Sequence, residues 1–403
     1  MNPRHLYAHV PFCARRCTYC DFAIAVRRVV PVDEYVTALG AELRLRWPRD
    51  DSWSLDTLYF GGGTPSRLGG DGMKRAIDAV RAVATLGPGA EVTLEANPED
   101  VSVATARAWR DAGVNRVSLG VQSFDDAALQ WMHRVHDAER AERAVGELRD
   151  AGIDNFSVDL IFALPEQAAG RSWERDVERT LGLEPPHVSL YGLTIEQHTP
   201  LGKALARGAL TEAGEDRYEH DFLLAHEAMT GAGLDHYEVS NFGRPGLHSR
   251  HNSAYWRLVP YAGLGPGAHE LRVEGERMVR RWNDGAYANW ARALREGRDP
   301  IGGEETLTPS NRIAEEVYLG LRTSEGLPIR EAERPRVDAW VTAGWGTVHE
   351  PGPGASGQGP AACDATRTSS NASSATAPVF RLTPLGWLRL DALAADLTAF
   401  RSR

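Results

Sequence analysis

Cysteine is scarce in this chain, with four among 403 residues, and too few thiols are spread along it to build a disulfide framework. Also missing is any apolar run of the roughly 18–20 residues that a membrane-spanning helix needs, and the start MNPRHLYAHV lacks the apolar stretch of a secretory leader. An excess of positive charge is absent too. The 45 basic and 55 acidic side chains give a formal charge of -10, which removes the electrostatic footprint of a general nucleic-acid binder. These absences set the expectation of a cytoplasmic protein with no transmembrane segment and no nucleic-acid partner, whose thiols stay reduced.

What is present is ordinary in bulk and unusual in detail. Apolar residues make up 42% and charged residues 25% of the chain, the balance of a soluble globular fold. Short β-rich runs alternate with longer amphipathic helical patterns: strands at 6–10, 56–60, 91–96, 116–121, 156–161 and 187–193, with helices at 33–46, 71–84, 102–112, 137–150 and 171–182 between them. Six βα units on a parallel sheet follow, as a partial barrel or an open doubly wound sheet. Either architecture gathers its chemistry at the carboxyl ends of the strands, where the cysteines, GGGTP (61–65), Glu95, QSF (122–124) and Asp159 all fall.

Near residue 240 the pattern changes to mixed strand and loop, which sets an expected boundary between a core domain (1–240) and a smaller C-terminal α+β domain (241–403). Residues 350–378, rich in Gly, Ser, Ala and Pro, read as a disordered insertion that carries Cys363 as a bystander.

The other three cysteines, Cys13, Cys17 and Cys20, crowd into HVPFCARRCTYCDF (9–22). Structural zinc wants four protein ligands, and neither a second CxxC nor a nearby HxxxH completes such a set. A three-cysteine iron–sulfur cluster leaves one iron open for a bound molecule. The spacing CxxxCxxC with Tyr19 before the last cysteine resembles the radical S-adenosylmethionine (SAM) enzymes. There three such cysteines hold a [4Fe-4S] cluster and SAM chelates the remaining iron.

GGGTP lacks the lysine of a phosphate-binding loop, and the resemblance implies that Gly62, Gly63 and Thr64 meet the SAM amino group. Glu95 ends its strand where a carboxylate can accept both hydroxyls of a ribose. Tyr7, Tyr19, Gln122, Arg134 and Asp159 occupy the remaining positions that the resemblance assigns to SAM. The family also implies a partial (β/α)6 barrel and a reductant for the cluster.

Further segments, SLYGLTIEQHTPL (189–201), YEVSNFGRPG (237–246), RHNSAYW (250–256) and YAGLGPGAH (261–269), resemble the oxygen-independent coproporphyrinogen III oxidase group. That group holds true oxidases and the HemW proteins, which bind heme as chaperones. The oxidases carry a further cysteine two residues past the cluster motif, where this chain has Phe22, and an N-terminal extension, where only 12 residues precede Cys13.

HNSAYW matches the HNxxYW motif of the HemW group. That resemblance implies heme contacts from His251, Asn252, Tyr255 and Trp256, with His251 as axial ligand and His248 and His269 as rivals. The expectation is a chaperone that binds the cluster, SAM and heme and passes heme to an acceptor protein, with peripheral membrane contact only through that acceptor. Whether SAM is cleaved stays open, no catalytic residue is assigned, and coproporphyrinogen dehydrogenation by a radical SAM oxidase is the alternative.

Overall fold

The structure, a computed structural model, describes residues 2–47, 52–165, 171–350 and 377–403. Six strands form where the alternation places them: β1 (His5–Val10), β2 (Ser54–Gly62), β3 (Thr85–Ala96), β4 (Arg116–Gln122), β5 (Phe156–Phe162) and β6 (His187–Gly192). They lie side by side in chain order, all parallel. Helices Val32–Arg46, Gly69–Arg81, Val103–Ala112, Ala138–Asp150 and Trp173–Gly182 occupy the crossovers. The architecture is the expected α/β partial (β/α)6 barrel.

Alternation within each strand produces its two faces. In β1, Leu6, Ala8 and Val10 are buried, and in β2 Leu58 and Phe60; each such large side chain removed from water contributes roughly 1.5–3 kcal/mol. His5, Tyr7 and His9 share the other face of β1. Thr57, Tyr59 and Gly61 continue it on β2, and Glu91, Thr93 and Glu95 on β3. This second face is polar because its groups satisfy one another across strands: His5 with Thr57, Tyr59 with Glu95, Ser118 with Asp159, and Ser157 with Ser189. Ser102, Asp137 and Ser172 cap their helices by accepting the N–H of Thr105, Arg140 and Arg175.

The sheet does not end near residue 240. There β7 (Asn241–Gly243) adds antiparallel to β6. At the opposite edge β8 (Tyr261–Leu264) runs parallel to β1, and β9 (His269–Glu274), β10 (Arg277–Asn283) and β11 (Ile301–Thr306) follow antiparallel. The change of sequence pattern therefore marks a change of strand direction within one sheet. The first compact unit comprises residues 1–235, 240–255 and 259–307.

A buried carboxylate fastens the late strands to the first helix. Glu42 accepts from the Gly265 N–H (2.9 Å), Asn283 (2.6 Å), Trp290 (2.8 Å) and Arg46 (2.9 Å), so its burial is fully compensated.

The second unit comprises residues 236–239, 256–258 and 308–403. A three-stranded sheet of Leu327–Pro328, Val379–Leu382 and Gly346–His349 centres on buried Phe380. Arg401 forms a bidentate pair with buried Glu333 (2.8 and 3.0 Å). Cys363 and nearly all of the expected insertion at 350–378 lie outside the described residues. Among the described residues no helix is long and apolar enough to cross a membrane.

Candidate functional site

The chain leaves β1 at Val10 and enters the cysteine loop. Phe12–Cys13 pairs with Ala25–Val26, and the Ala25 and Arg27 N–H groups donate to the carbonyls of Pro11 (2.7 Å) and Cys13 (3.0 Å). The two ends of the loop are thereby tied, and Cys13, Cys17 and Cys20 sit on a closed turn as free thiols. Thr64 donates its hydroxyl to Cys13 Sγ at 3.5 Å, and Arg134 Nη1 donates to Cys17 Sγ at 3.6 Å. Burial pushes the Cys13 thiol up and the Cys20 thiol up to about 11.

Among the described residues no three His, Cys, Asp or Glu side chains form a cage for a single metal ion. The donor set is three sulfurs on one loop without a carboxylate or imidazole. That composition suits an iron–sulfur cluster, whose cysteines each take a different iron, better than a hard cation. A cationic neighbour and a hydroxyl aimed at two of the sulfurs fit the same group.

Gly61 and Gly62 of GGGTP end β2, and the chain passes through Gly63 and Thr64 into a short helical turn at Pro65–Leu68. A Cβ on Gly61 would come within 2.9 Å of Tyr59, Tyr7 and Glu95. On Gly62, whose φ is +116°, it would meet His9 at 2.4 Å, and on Gly63 it would meet the Pro11 backbone at 2.6 Å. The glycines thus admit the chain's own side chains and backbone, which a Cβ would displace. The Gly62 N–H donates to Glu95 Oε2 (2.9 Å), the Gly63 N–H to the Val10 carbonyl (2.9 Å), and Tyr59 to Glu95 Oε1 (2.8 Å). Burial pushes Glu95 up to about 7 against these two donors.

Gln122 closes β4 in the left-handed region, φ +69°, and its Oε1 is buried without a hydrogen-bond partner. Arg134 holds Asn97 Oδ1 (2.7 Å) and the Gly120 carbonyl (2.9 Å), and its Nε is likewise buried and unpartnered. Gln122 Oε1 and Arg134 Nε are two of several buried polar atoms that have no hydrogen-bond partner among the described residues. Asp159 accepts from Ser118 (2.7 Å) and Ser157 (2.8 Å), and burial raises its pKa. Tyr19 packs on the apolar cluster of Ala128, Leu129, Met132, Ile161 and Leu164.

His9 belongs to this site and was not among the expected residues. Its Nε2 donates to the Ala23 carbonyl in the cysteine loop (2.8 Å), so Nδ1 accepts from the Tyr7 hydroxyl (3.0 Å). Burial holds it down to about 4, hence neutral. The signal was available: HLYAHV puts Tyr7 and His9 on one face. Arg134's further partners, Asn97 and through it Glu99 and His136, carried no comparable sequence signal.

The HNSAYW residues lie elsewhere. His251 is on the short helix Arg250–Trp256, whose first N–H groups, those of Arg250 and His251, donate to Glu91 (3.1 and 3.0 Å). Its Nδ1 bonds Thr57 Oγ1 at 2.6 Å, its Nε2 bonds Tyr255 Oη at 2.7 Å, and its ring stacks on Tyr59 at 5.0 Å. Thr57 and Glu91 pair with each other level with His5, about 16 Å along β1 from the cysteine end at roughly 3.3 Å per residue.

Both nitrogens of this buried imidazole are engaged, which is at odds with the axial role implied for it. Asn252 bonds Ser249 Oγ (3.3 Å) at the same helix. Trp256 belongs to the second unit, under the Arg322 guanidinium at 4.2 Å. His248 pairs with Asp235 (3.2 Å).

Comparison with known proteins adds a family context. Residues 7–170 match the model of the radical SAM superfamily. The chain is 35% identical over 355 residues to the heme chaperone HemW of Synechocystis, covering 85% of each chain. It is 33% identical over 359 residues to the heme chaperone HemW of Escherichia coli, covering 86% of this chain and 92% of that one. The coproporphyrinogen III oxidase (HemN) of Escherichia coli, a radical SAM enzyme, superimposes with a TM-score of 0.74 at 20% identity, over 99% of this chain and 91% of that chain, which is a likeness of fold.

Proposed function

Because the chain belongs to the HemW family and carries a radical SAM domain, we propose that it is a heme chaperone that holds a [4Fe-4S] cluster and SAM and delivers heme to an acceptor protein. Cys13, Cys17 and Cys20 would hold the cluster, which when present supplies one-electron reduction of a bound sulfonium. The observation that carries this reading is the convergence of three free thiols with the unpartnered Gln122 Oε1 and the buried Glu95 carboxylate at one set of strand ends.

Each group has a part that its surroundings define. Glu95, already fixed by Tyr59 and the Gly62 N–H, offers acceptor capacity to ribose hydroxyls. Gln122 offers a buried carbonyl oxygen to a donor of the ligand. Asp159, braced by serines, extends the acceptor face. Arg134 places a guanidinium against Cys17, offsetting the charge of thiolates that burial disfavours. His9, through Tyr7 and Ala23, sets the height of the loop over the barrel. Soluble residence in the cytoplasm, an external electron donor and an acceptor protein complete the proposal.

An anaerobic titration with hemin of the chain reconstituted with iron and sulfide, with coproporphyrinogen decarboxylation assayed on the same sample, tests it. Stoichiometric hemin binding without release of carbon dioxide is expected. Decarboxylation with negligible hemin binding would replace the chaperone by the oxidase.

A further inference from the structure

A chaperone of heme needs an iron ligand, and the motif histidine has none to spare. The search for another leads along the sheet from Tyr7. Strand β8 lies beside β1 with Gly263 level with Tyr7, and β9 lies beside β8 with Tyr261 opposite Leu271. His269 therefore falls alongside Gly263, where a Cβ would meet the His269 carbonyl at 2.0 Å. The loop before it abuts the site already described: a Cβ on Gly265 would meet the His9 carbonyl at 2.4 Å, and one on Gly267 would meet Ala23 of the cysteine loop at 2.9 Å.

Alternation decides which way His269 faces. Its neighbour Glu270 is buried and pairs with Arg46 of the first helix, so Glu270 points to the helix layer and His269 points to the opposite, barrel-side face. Across the ladder His269 pairs with Trp282 and Leu271 with Arg280, which puts all four on that face. The His269 imidazole stacks on the Trp282 indole at 5.7 Å and 25°. That indole lies against Gly303, where a Cβ would come within 2.3 Å of it.

His269 is exposed, and its ring makes a stacking contact in place of the paired hydrogen bonds that tie His251. Partial burial and then Arg280 hold it below the ordinary histidine value, so the imidazole is neutral at pH 7. Neutral imidazole is the form that ligates iron.

We propose that iron porphyrin is carried on this face, with His269 as axial ligand and Trp282 as the positioning residue that fixes the imidazole plane. The assignment rests on the chaperone reading and names the site that reading requires. It places the cargo next to the cluster and SAM ends of β1 and β8, one strand on from Tyr261, against which Tyr255 of the HNSAYW helix packs. Val273, exposed on the same face four residues from His269, adds apolar surface to the ledge.

The test uses the full, cluster-loaded chain and hemin as probe, read by the Soret band and by electron paramagnetic resonance of the ferric heme. The unsubstituted protein is expected to give a histidine-ligated spectrum. His269→Ala is expected to lose it, to bind hemin at least the roughly 10–100-fold more weakly that follows from disturbing a metal's surroundings, and to regain the spectrum on addition of imidazole. Trp282→Leu keeps the histidine spectrum with weaker binding. Cluster absorbance, unchanged in both variants, reports that they fold. A His269→Ala protein with the original spectrum and affinity overturns the assignment while leaving the chaperone standing. An unsubstituted chain that binds no hemin overturns both.

Discussion

In the proposed site, Glu95 would join stability to ligand affinity. Burial raises its folded pKa to about 7 from 4.5, so between those values the folded chain keeps a proton that the unfolded chain has released, and this group's contribution to stability falls as pH rises through that window. Ribose hydroxyls need the opposite form, an accepting carboxylate. SAM affinity of the cluster-loaded protein should therefore rise with pH, by roughly tenfold per unit well below 7, and level off above it. Calorimetric titrations from pH 6 to 8 check this, and Glu95→Gln should flatten the profile and weaken binding. A steep profile that persists in Glu95→Gln would assign the proton to another group. The carboxylate was legible because EVTLEAN alternates it onto a strand end. His9 sits on an equally clear alternation, yet what makes it part of the site is a carbonyl 14 residues away in the cysteine loop, a contact that no local pattern encodes.

At the scale of elements, the helix Arg250–Trp256 is the instructive case. From sequence the segment reads as loop, because seven residues are too few for a helical period to declare itself and the group that caps it, Glu91, is 160 residues away. The six parallel strands were legible for the converse reason, since each carries its own period of two and its own flanking helix. Once placed, the helix packs on β1 to β3 at the level of His5, Thr57 and Glu91. His251 there bridges Thr57 and Tyr255 and supports Tyr59, which in turn holds Glu95. Replacing His251 with alanine opens a cavity and removes its bonds to Thr57 and Tyr255, and should cost roughly 2–5 kcal/mol. Chemical denaturation measures that loss. The variant should still show histidine-ligated heme when folded, and disappearance of that spectrum at full cluster occupancy would restore His251 as the ligand.

For the whole molecule, the two compact units divide the work of folding. The first carries Tyr7, the three thiols, Glu95, Gln122, Arg134 and Asp159, and the second builds a separate core around Phe380 and the Arg401–Glu333 pair. A change of composition near residue 240 could not reveal this division, because the antiparallel strands that follow it belong to the barrel's own sheet. Whatever binds the native strand ends and not the unfolded chain must stabilise the first unit by mass action. SAM at about 100 times its dissociation constant adds about 2.7 kcal/mol, which for a unit of this size is a rise of roughly 4 °C in unfolding temperature. Because in the proposed function the three-cysteine loop would hold the cluster on which SAM is anchored, the rise should require the cluster. Calorimetric scans of the loaded chain and of a Cys20→Ala variant, each with and without SAM, measure the dependence. A shift of equal size in the two proteins would mean that Glu95, Gln122 and their neighbours hold the nucleoside alone, and that the thiol loop serves some other purpose.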